Sequence, residues 1–173
     1  MPRPDTASCA SYGIGRILAV ALLATRMVLP IPAIASEISE LPALLQEKVV
    51  QAQQACSDFE KGQFSLEWGA VTRVDLDGDL RPDWVLNEVF FACSSAASLY
   101  CGTGGCMSHF LVGDDLASVL NQGWDVVYIG PNRVLLTDVH GSQCGGINPT
   151  PCVTASTWDK ETAQWRGATA EWE

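Results

Sequence analysis

The chain is poor in basic side chains and lacks a long uninterrupted apolar run. Its 10 Lys and Arg residues stand against 20 Asp and Glu, which gives a formal net charge of -10. A surface of this sign repels phosphate backbones and anionic lipid headgroups, so nucleic acid and membranes are excluded as partners of the folded domain. No apolar stretch reaches the ~20 residues that a membrane-spanning helix needs. The sequence also lacks a dinucleotide-binding fingerprint and a phosphate-binding glycine loop at a helix start.

The remaining composition is typical of one globular domain. The 173 residues are 47% hydrophobic and 17% charged. This balance supplies enough apolar surface for a core and argues against a disordered chain.

The first 35 residues have the pattern of an export signal. Arg3 and Arg16 precede two apolar stretches, 17–25 and 27–35, and the second ends in the small-residue pattern Ala-Ile-Ala. We therefore expect residues 1–35 to be a signal peptide, and residues 36–173 to form a single exported domain in the periplasm or outside the cell.

Arg26 interrupts the apolar part of this signal, which leaves two alternatives open. Translation could start at Met27, or the segment could be a membrane-anchoring helix, although its apolar runs are short for a span. Cys9 lies ahead of the apolar core and is not placed as a lipid-anchored cysteine. Cleavage after Ala35 would remove three arginines and one aspartate, and would shift the formal net charge from -10 to -12.

Six cysteines remain after residue 35, and an even number in an exported chain predicts three disulfides. Six cysteines allow 15 pairings, and the sequence does not choose among them. Local spacing favours two short bridges, and the third pair is then left by elimination. A zinc site that uses His109 with two of these cysteines is the alternative, but its spacing matches no common zinc pattern. The favoured pairs are Cys101 with Cys106, Cys144 with Cys152, and Cys56 with Cys93.

The periodicity predicts a mainly β, α+β fold: an antiparallel sheet or small β-sandwich with one N-terminal helix. Apolar residues recur at steps of three and four between Leu41 and Cys56, as in an amphipathic helix. After Gly62 the period becomes two, and Phe64, Leu66 and Trp68 are predicted to share a buried face. Short turn-rich links then favour antiparallel hairpins. The further predicted strands are 71–75, 84–92, 109–113, 124–129, 133–140, 154–158 and 164–170.

An acidic loop between two predicted strands carries the clearest chemical signal. Asp75, Asp77, Asp79 and Asp83 place four carboxylates within nine residues. They would repel one another unless a cation lay among them, and oxygen ligands at this spacing suit Ca²⁺, which takes about six to eight oxygens in flexible geometry. We therefore expect these four side chains, with the carbonyl of Arg81, to be metal ligands.

Residues 75–86 resemble a single calcium loop of FG-GAP and VCBS repeats, whose pattern is Asp-x-(Asp/Asn)-Gly-Asp-Gly-x-x-Asp followed by apolar strand residues. The resemblance covers about a tenth of the exported part and departs at Leu80, where those repeats usually have Gly. It implies a calcium loop, without the propeller that several copies build. More loosely, segments 100–106 and 140–145 resemble those of small exported bacterial proteins, which implies no activity.

The alternative for this loop is a solvated acidic turn, because the same residues favour turns. If calcium binds, its expected role is structural, since four carboxylates leave the ion little open coordination for a substrate.

No residue set specifies a reaction, and we expect no catalytic residues. Ser142 and His140 suggest a nucleophile and its base, but the segment lacks the sharp strand-to-helix turn of a nucleophile elbow. A hydrolase that uses this pair is one alternative function.

The expected function is a non-enzymatic binding or accessory role toward an unknown protein or glycan partner. Six tryptophans are many for this length, and an exposed cluster would form a carbohydrate or peptide platform, although Trp in strands is more often core. Trp172, beside the C-terminus, is the one expected to be exposed. The other alternative is an inhibitor of a cationic secreted or periplasmic hydrolase, similar to lysozyme inhibitors, since the negative charge would steer such a partner.

Overall fold

A computed structural model describes residues 38–169. The predicted signal peptide, its cleavage site after Ala35, Cys9 and Trp172 lie outside the described residues. Within 38–169, no helix combines the length and apolar character required to cross a bilayer. The helix and strands, in chain order, are α1 Ala43–Asp58, β1 Phe64–Leu66, β2 Val71–Val74, β3 Asp83–Asn87, β4 Phe91–Cys93, β5 Cys101–Gly102, β6 Gly105–Val112, β7 Asp115–Asn121, β8 Gly123–Ile129, β9 Asn132–Asp138, β10 Val153–Asp159 and β11 Gln164–Thr169.

All strand pairs are antiparallel, which confirms the predicted mainly β fold. One sheet has the order β2-β3-β6-β5, with β7 also paired to β6, and a second has the order β11-β10-β9-β8. A small third sheet pairs β1 with β4. The predicted hairpins at 130–132 and 159–162 are present as β8–β9 and β10–β11.

Strand β6 explains how the layers are held together, because it is buried on both faces. Leu111 belongs to the core that α1 forms with the first sheet, whereas Phe110 and Val112 belong to the core shared with the second sheet. Leu45 and Val49 of α1 have no solvent exposure, as the three-and-four spacing predicts. The order of layers is therefore helix, sheet, sheet.

Three details of the predicted strands are wrong. Strand β1 ends at Leu66, so Trp68 lies on a turn and is 95% exposed rather than buried with its neighbours. The predicted strand 84–92 is divided by a 3-10 turn at Glu88–Phe90. Strand β7 was not predicted, since Ala117 and Ser118 weaken its β signal.

The three disulfides are the two that local spacing favoured and the one left by elimination. Cys56 is bonded to Cys93, Cys101 to Cys106, and Cys144 to Cys152. The first ties α1 to β4, and the second closes the β5–β6 hairpin. Cys101 and Cys106, the two cysteines of the alternative zinc site with His109, are therefore bonded to each other, and that alternative is wrong.

Candidate metal centre

The acidic loop joins β2 to β3, whose last paired residues are Val74 and Asp83. Leu76 points from this loop into the core between the sheets and is 1% exposed. The buried Leu76 side chain therefore anchors the loop to the domain and limits where its carboxylates can lie.

Hydrogen bonds between carboxylates and loop amides shape the turn. The N–H of Gly78 donates to Oδ1 of Asp75 at 2.7 Å, and the N–H of Asp79 donates to Oδ1 of Asp77 at 2.8 Å. The N–H of Leu76 donates to Oδ2 of Asp83 at 2.8 Å. One oxygen of each of these carboxylates is thereby held by a backbone amide of the loop.

The backbone at Leu80 has the conformation of a glycine. Its φ is 68°, in the left-handed region that costs a residue with a Cβ about 1 kcal/mol or more. This is the position at which FG-GAP and VCBS loops usually have Gly, and the Leu80 side chain is 82% exposed, so it gains little from burial. The loop keeps this backbone conformation despite its side chain.

Three of the four predicted ligands come together. One carboxylate oxygen from each of Asp75, Asp77 and Asp83 lies within 4.8 Å of the other two. Two oxygens on opposite sides of one Ca²⁺, each ~2.4 Å from it, are separated by about this distance, so the three carboxylates lie within the range that ligands of a shared ion require. Asp79 is not in the group, and its Oδ1 accepts from the N–H of Arg81 at 2.7 Å.

The crowding of carboxylates changes the acidity of Asp83. Its pKa is raised from 3.8 to about 6, chiefly by desolvation and also by the negative charges of Asp77, Asp79 and Asp75, against the lowering effect of the Leu76 amide. Either a proton on Asp83 or a cation among the carboxylates would reduce the free-energy cost of this crowding.

Cationic side chains that the sequence analysis did not identify also lie at the loop. Arg133 of β9 places Nε 2.9 Å and Nη2 2.8 Å from Oδ2 of Asp75, and both side chains are nearly buried. Lys160 Nζ lies 3.6 Å from Oδ2 of Asp77. Arg133 is 58 residues from Asp75, so only the β8–β9 hairpin brings it here, and no local pattern signals it.

The predicted alternative pair, His140 and Ser142, is within hydrogen-bond distance. Nδ1 of His140 lies 2.7 Å from the Ser142 hydroxyl and 3.2 Å from the Ser142 backbone N. The imidazole accepts from that N–H and caps the 3-10 turn Gly141–Cys144. Within the described residues no carboxylate hydrogen-bonds to this ring, so the third group of a triad is missing.

A second serine–histidine pair was missed by the sequence analysis. Nδ1 of His109 lies 2.7 Å from the Ser118 hydroxyl, and its Nε2 lies 2.9 Å from Oε1 of Glu88. The β6–β7 register places Ser118 directly opposite His109. The imidazole is 3% exposed and both its nitrogens are engaged, which makes it a cross-strand link in the sheet rather than an accessible base.

The chain was compared with family models, curated proteins and solved structures, and none of the three comparisons gave a match.

Proposed function

We propose that the protein is an exported binding domain whose fold is stabilised by three disulfides and by one calcium ion in the β2–β3 loop. The observation that carries the proposal is the convergence of Asp75, Asp77 and Asp83 within 4.8 Å. The glycine-like φ of Leu80 supports it, because the loop keeps the geometry of the calcium loops it resembles. An all-oxygen ligand set is the kind that calcium prefers.

The ion's role would be structural. Asp75 and Asp77 belong to the loop, whereas Asp83 is the first residue of β3, so one ion would link the loop to the strand. The ion would also offset the carboxylate repulsion that, together with the larger effect of desolvation, raises the pKa of Asp83. With no catalytic residue assigned, the proposed role is binding.

The disulfides and the signal-like N-terminus support the proposal that the protein is exported to the periplasm or the exterior. Three disulfides persist in an oxidising compartment and are rare in a reducing cytosol.

Calorimetric titration of the oxidised, chelator-treated protein with CaCl₂ tests the metal site. We expect one saturable site with a dissociation constant of about 0.1 to 1 mM, the range of extracellular modules, and weaker binding of Mg²⁺. Asp77→Asn should weaken binding strongly, while Asp125→Asn, at an exposed position of β8, should bind as the parent does. No saturable heat, or equal binding by both variants, would refute the site.

An acidic cleft supports a second candidate, inhibition of a cationic hydrolase. The cleft has a volume of about 720 Å³ and lies between the metal loop and the β6–β7 turn. Its lining includes five carboxylates and three cationic side chains, which favours a positively charged guest. This candidate predicts salt-sensitive binding to a basic secreted hydrolase with loss of its activity, and a panel of such enzymes that keep full activity would eliminate it. The charged residues of the cleft are Asp77, Asp79, Asp83, Asp114, Asp115, Arg73, Arg81 and Lys160.

A further inference from the structure

A second cavity lies on the first sheet, away from the metal loop. Its volume is about 280 Å³, and it is lined by residues of β2, β3, β6 and β7, by the start of β8, and by the 3-10 turn after β3. This is close to the lower end of the ~300 to 1,000 Å³ range of ligand pockets, so it suits one small ring-sized group.

Half of the buried polar or charged side chains in the described residues line this cavity. Six polar or charged side chains are buried in the described part of the chain, and three of them, Asn87, Ser108 and Asn121, line this cavity. Protein interiors rarely bury polar groups without using their hydrogen-bonding capacity.

The hydrogen bonds of Asn87 fix the orientation of its amide. Its Oδ1 accepts from Trp124 Nε1 at 2.6 Å and from the Ser108 hydroxyl at 3.2 Å. Its Nδ2 donates to the Thr72 hydroxyl at 3.3 Å, a long bond that uses one of two N–H groups. The second N–H has no partner among residues 38–169 and is available to a ligand acceptor.

Asn121 supplies the complementary acceptor. Its Nδ2 donates to the carbonyl of Val119 at 2.9 Å, and no described donor reaches its Oδ1. This oxygen is not fully buried, because among the described residues the one fully buried side-chain nitrogen or oxygen without a partner is Trp165 Nε1. Oδ1 of Asn121 is therefore accessible to solvent or to a ligand. The cavity therefore offers both a donor and an acceptor, which is what a hydroxyl group can satisfy.

The charge of the lining points to a neutral ligand. None of the described residues that line the cavity carries a charged side chain. An ionic guest would lose its hydration without a compensating charge. Hydroxyl groups on an otherwise apolar ring fit the amides, together with the apolar side chains of Val89 and Phe90.

Trp68 lies on the turn that packs against Phe90 of the cavity rim. Its side chain is 95% exposed, an unusual position for a large aromatic residue. The turn that carries it packs on the rim: the N–H of Glu67 donates to the carbonyl of Phe90 at 2.8 Å, and a Cβ on Gly69 would lie 3.0 Å from the Phe90 ring.

We propose that this cavity binds one neutral sugar unit of a glycan and that Trp68 contacts the adjoining part of the same glycan. The inference rests on the proposed binding role and names its ligand class. The three converging aspartates of the metal centre do not line the cavity, so calcium binding and sugar binding can fail separately.

The test is a titration of the oxidised, ¹⁵N-labelled protein with glucose, galactose, mannose and N-acetylglucosamine, followed by amide chemical shifts. We expect at least one sugar to shift the amides of Thr72, Asn87, Ser108 and Asn121, with a dissociation constant of about 1 mM that NaCl does not change. A neutral oligosaccharide of that sugar should bind more tightly, and Trp68→Ala should reduce this gain by about three- to tenfold.

Two matched valine variants locate the site. Val89 and Val50 are 57% and 58% exposed, and of the two only Val89 lines the cavity. Val89→Trp should weaken sugar binding by about tenfold or more, while Val50→Trp on α1 should bind as the parent does. If Val89→Trp lowers Tm, Val89→Phe and its control Val50→Phe take the places of the tryptophan variants, since a smaller ring at the same position still narrows the cavity.

Absence of shifts for all four sugars, or equal binding by the two tryptophan variants, would overturn the proposal. Shifts that disappear with added NaCl would do the same, because they would indicate a charged surface elsewhere. If the sugar result is negative while calcium still binds, the metal proposal survives and the sugar proposal does not.

Discussion

Replacing Asp83 by Asn should stabilise the protein when calcium is absent and should weaken the stabilisation that calcium gives. The pKa of Asp83 is raised to about 6 by desolvation and by the neighbouring aspartates. At neutral pH its ionisation therefore costs folding free energy, and a neutral amide of the same shape removes that cost. Asn still offers an oxygen to the Leu76 amide, which lies 2.8 Å from Oδ2 of Asp83.

The magnitude follows from the difference between the usual pKa of 3.8 and the value of about 6 in the folded protein. This difference would correspond to ~3 kcal/mol for a fully buried group. Asp83 is only partly buried, so solvent screening reduces the expected gain to about 1 kcal/mol. For a domain of this size, that gain is a rise in Tm of about 3 °C.

The pH dependence has a defined sign. A carboxyl with a raised folded-state pKa contributes stability below its unfolded pKa, and this stability is lost as pH rises through the folded pKa. In chelator, the parent should therefore lose stability between about pH 4 and pH 6 relative to Asp83→Asn. Thermal unfolding at pH 3.5 and pH 7.5 measures this difference, with Asp125→Asn at an exposed position of β8 as the control. A lower Tm for Asp83→Asn than for the parent at pH 7.5 in chelator would refute the reasoning.

Three other substitutions test separate parts of the account. Leu80→Gly should stabilise the protein by about 1 kcal/mol in urea unfolding, because it relieves the φ of 68°; a loss of stability would contradict the strain. Arg133→Gln should lower the free energy of unfolding by about 3 kcal/mol in chelator, because it leaves Asp75 buried without its cation, and by less in calcium. An equal loss in both conditions would show that Asp75 does not bind the ion. Removing the Cys56–Cys93 bridge should cost about 4 kcal/mol, against about 2 kcal/mol for the shortest bridge, because the cysteines are 37 rather than 5 residues apart; equal costs would contradict the loop-entropy argument.

The sequence predicts those parts of the fold that depend on neighbouring residues. The stripe of Leu45, Val49 and Cys56 identifies a helix with one buried face, and all three side chains are fully buried. The hairpin turns are encoded within a few residues, so their positions follow from composition. Short cysteine spacings behave similarly, because a five-residue separation suits closure across a tight hairpin.

Features that depend on strand register or long-range packing are not readable from one chain. The contact of His109 with Ser118 requires the pairing of β6 with β7, a strand with a weak sequence signal. Arg133 reaches Asp75 only after the two sheets pack together. Trp68 shows the opposite error, since a correct alternation was extended two residues past the end of its strand.

The most direct test of the central claim is thermal unfolding of the oxidised protein in millimolar calcium and again in excess chelator. If calcium binds the folded loop and not the unfolded chain, Tm should rise by several degrees. A free calcium concentration about ten times the dissociation constant adds about 1.4 kcal/mol to the free energy of unfolding. The rise should disappear in Asp77→Asn, whose carboxylate belongs to the converging group. An unchanged Tm, or a rise that persists in Asp77→Asn, would contradict a structural calcium site in this loop.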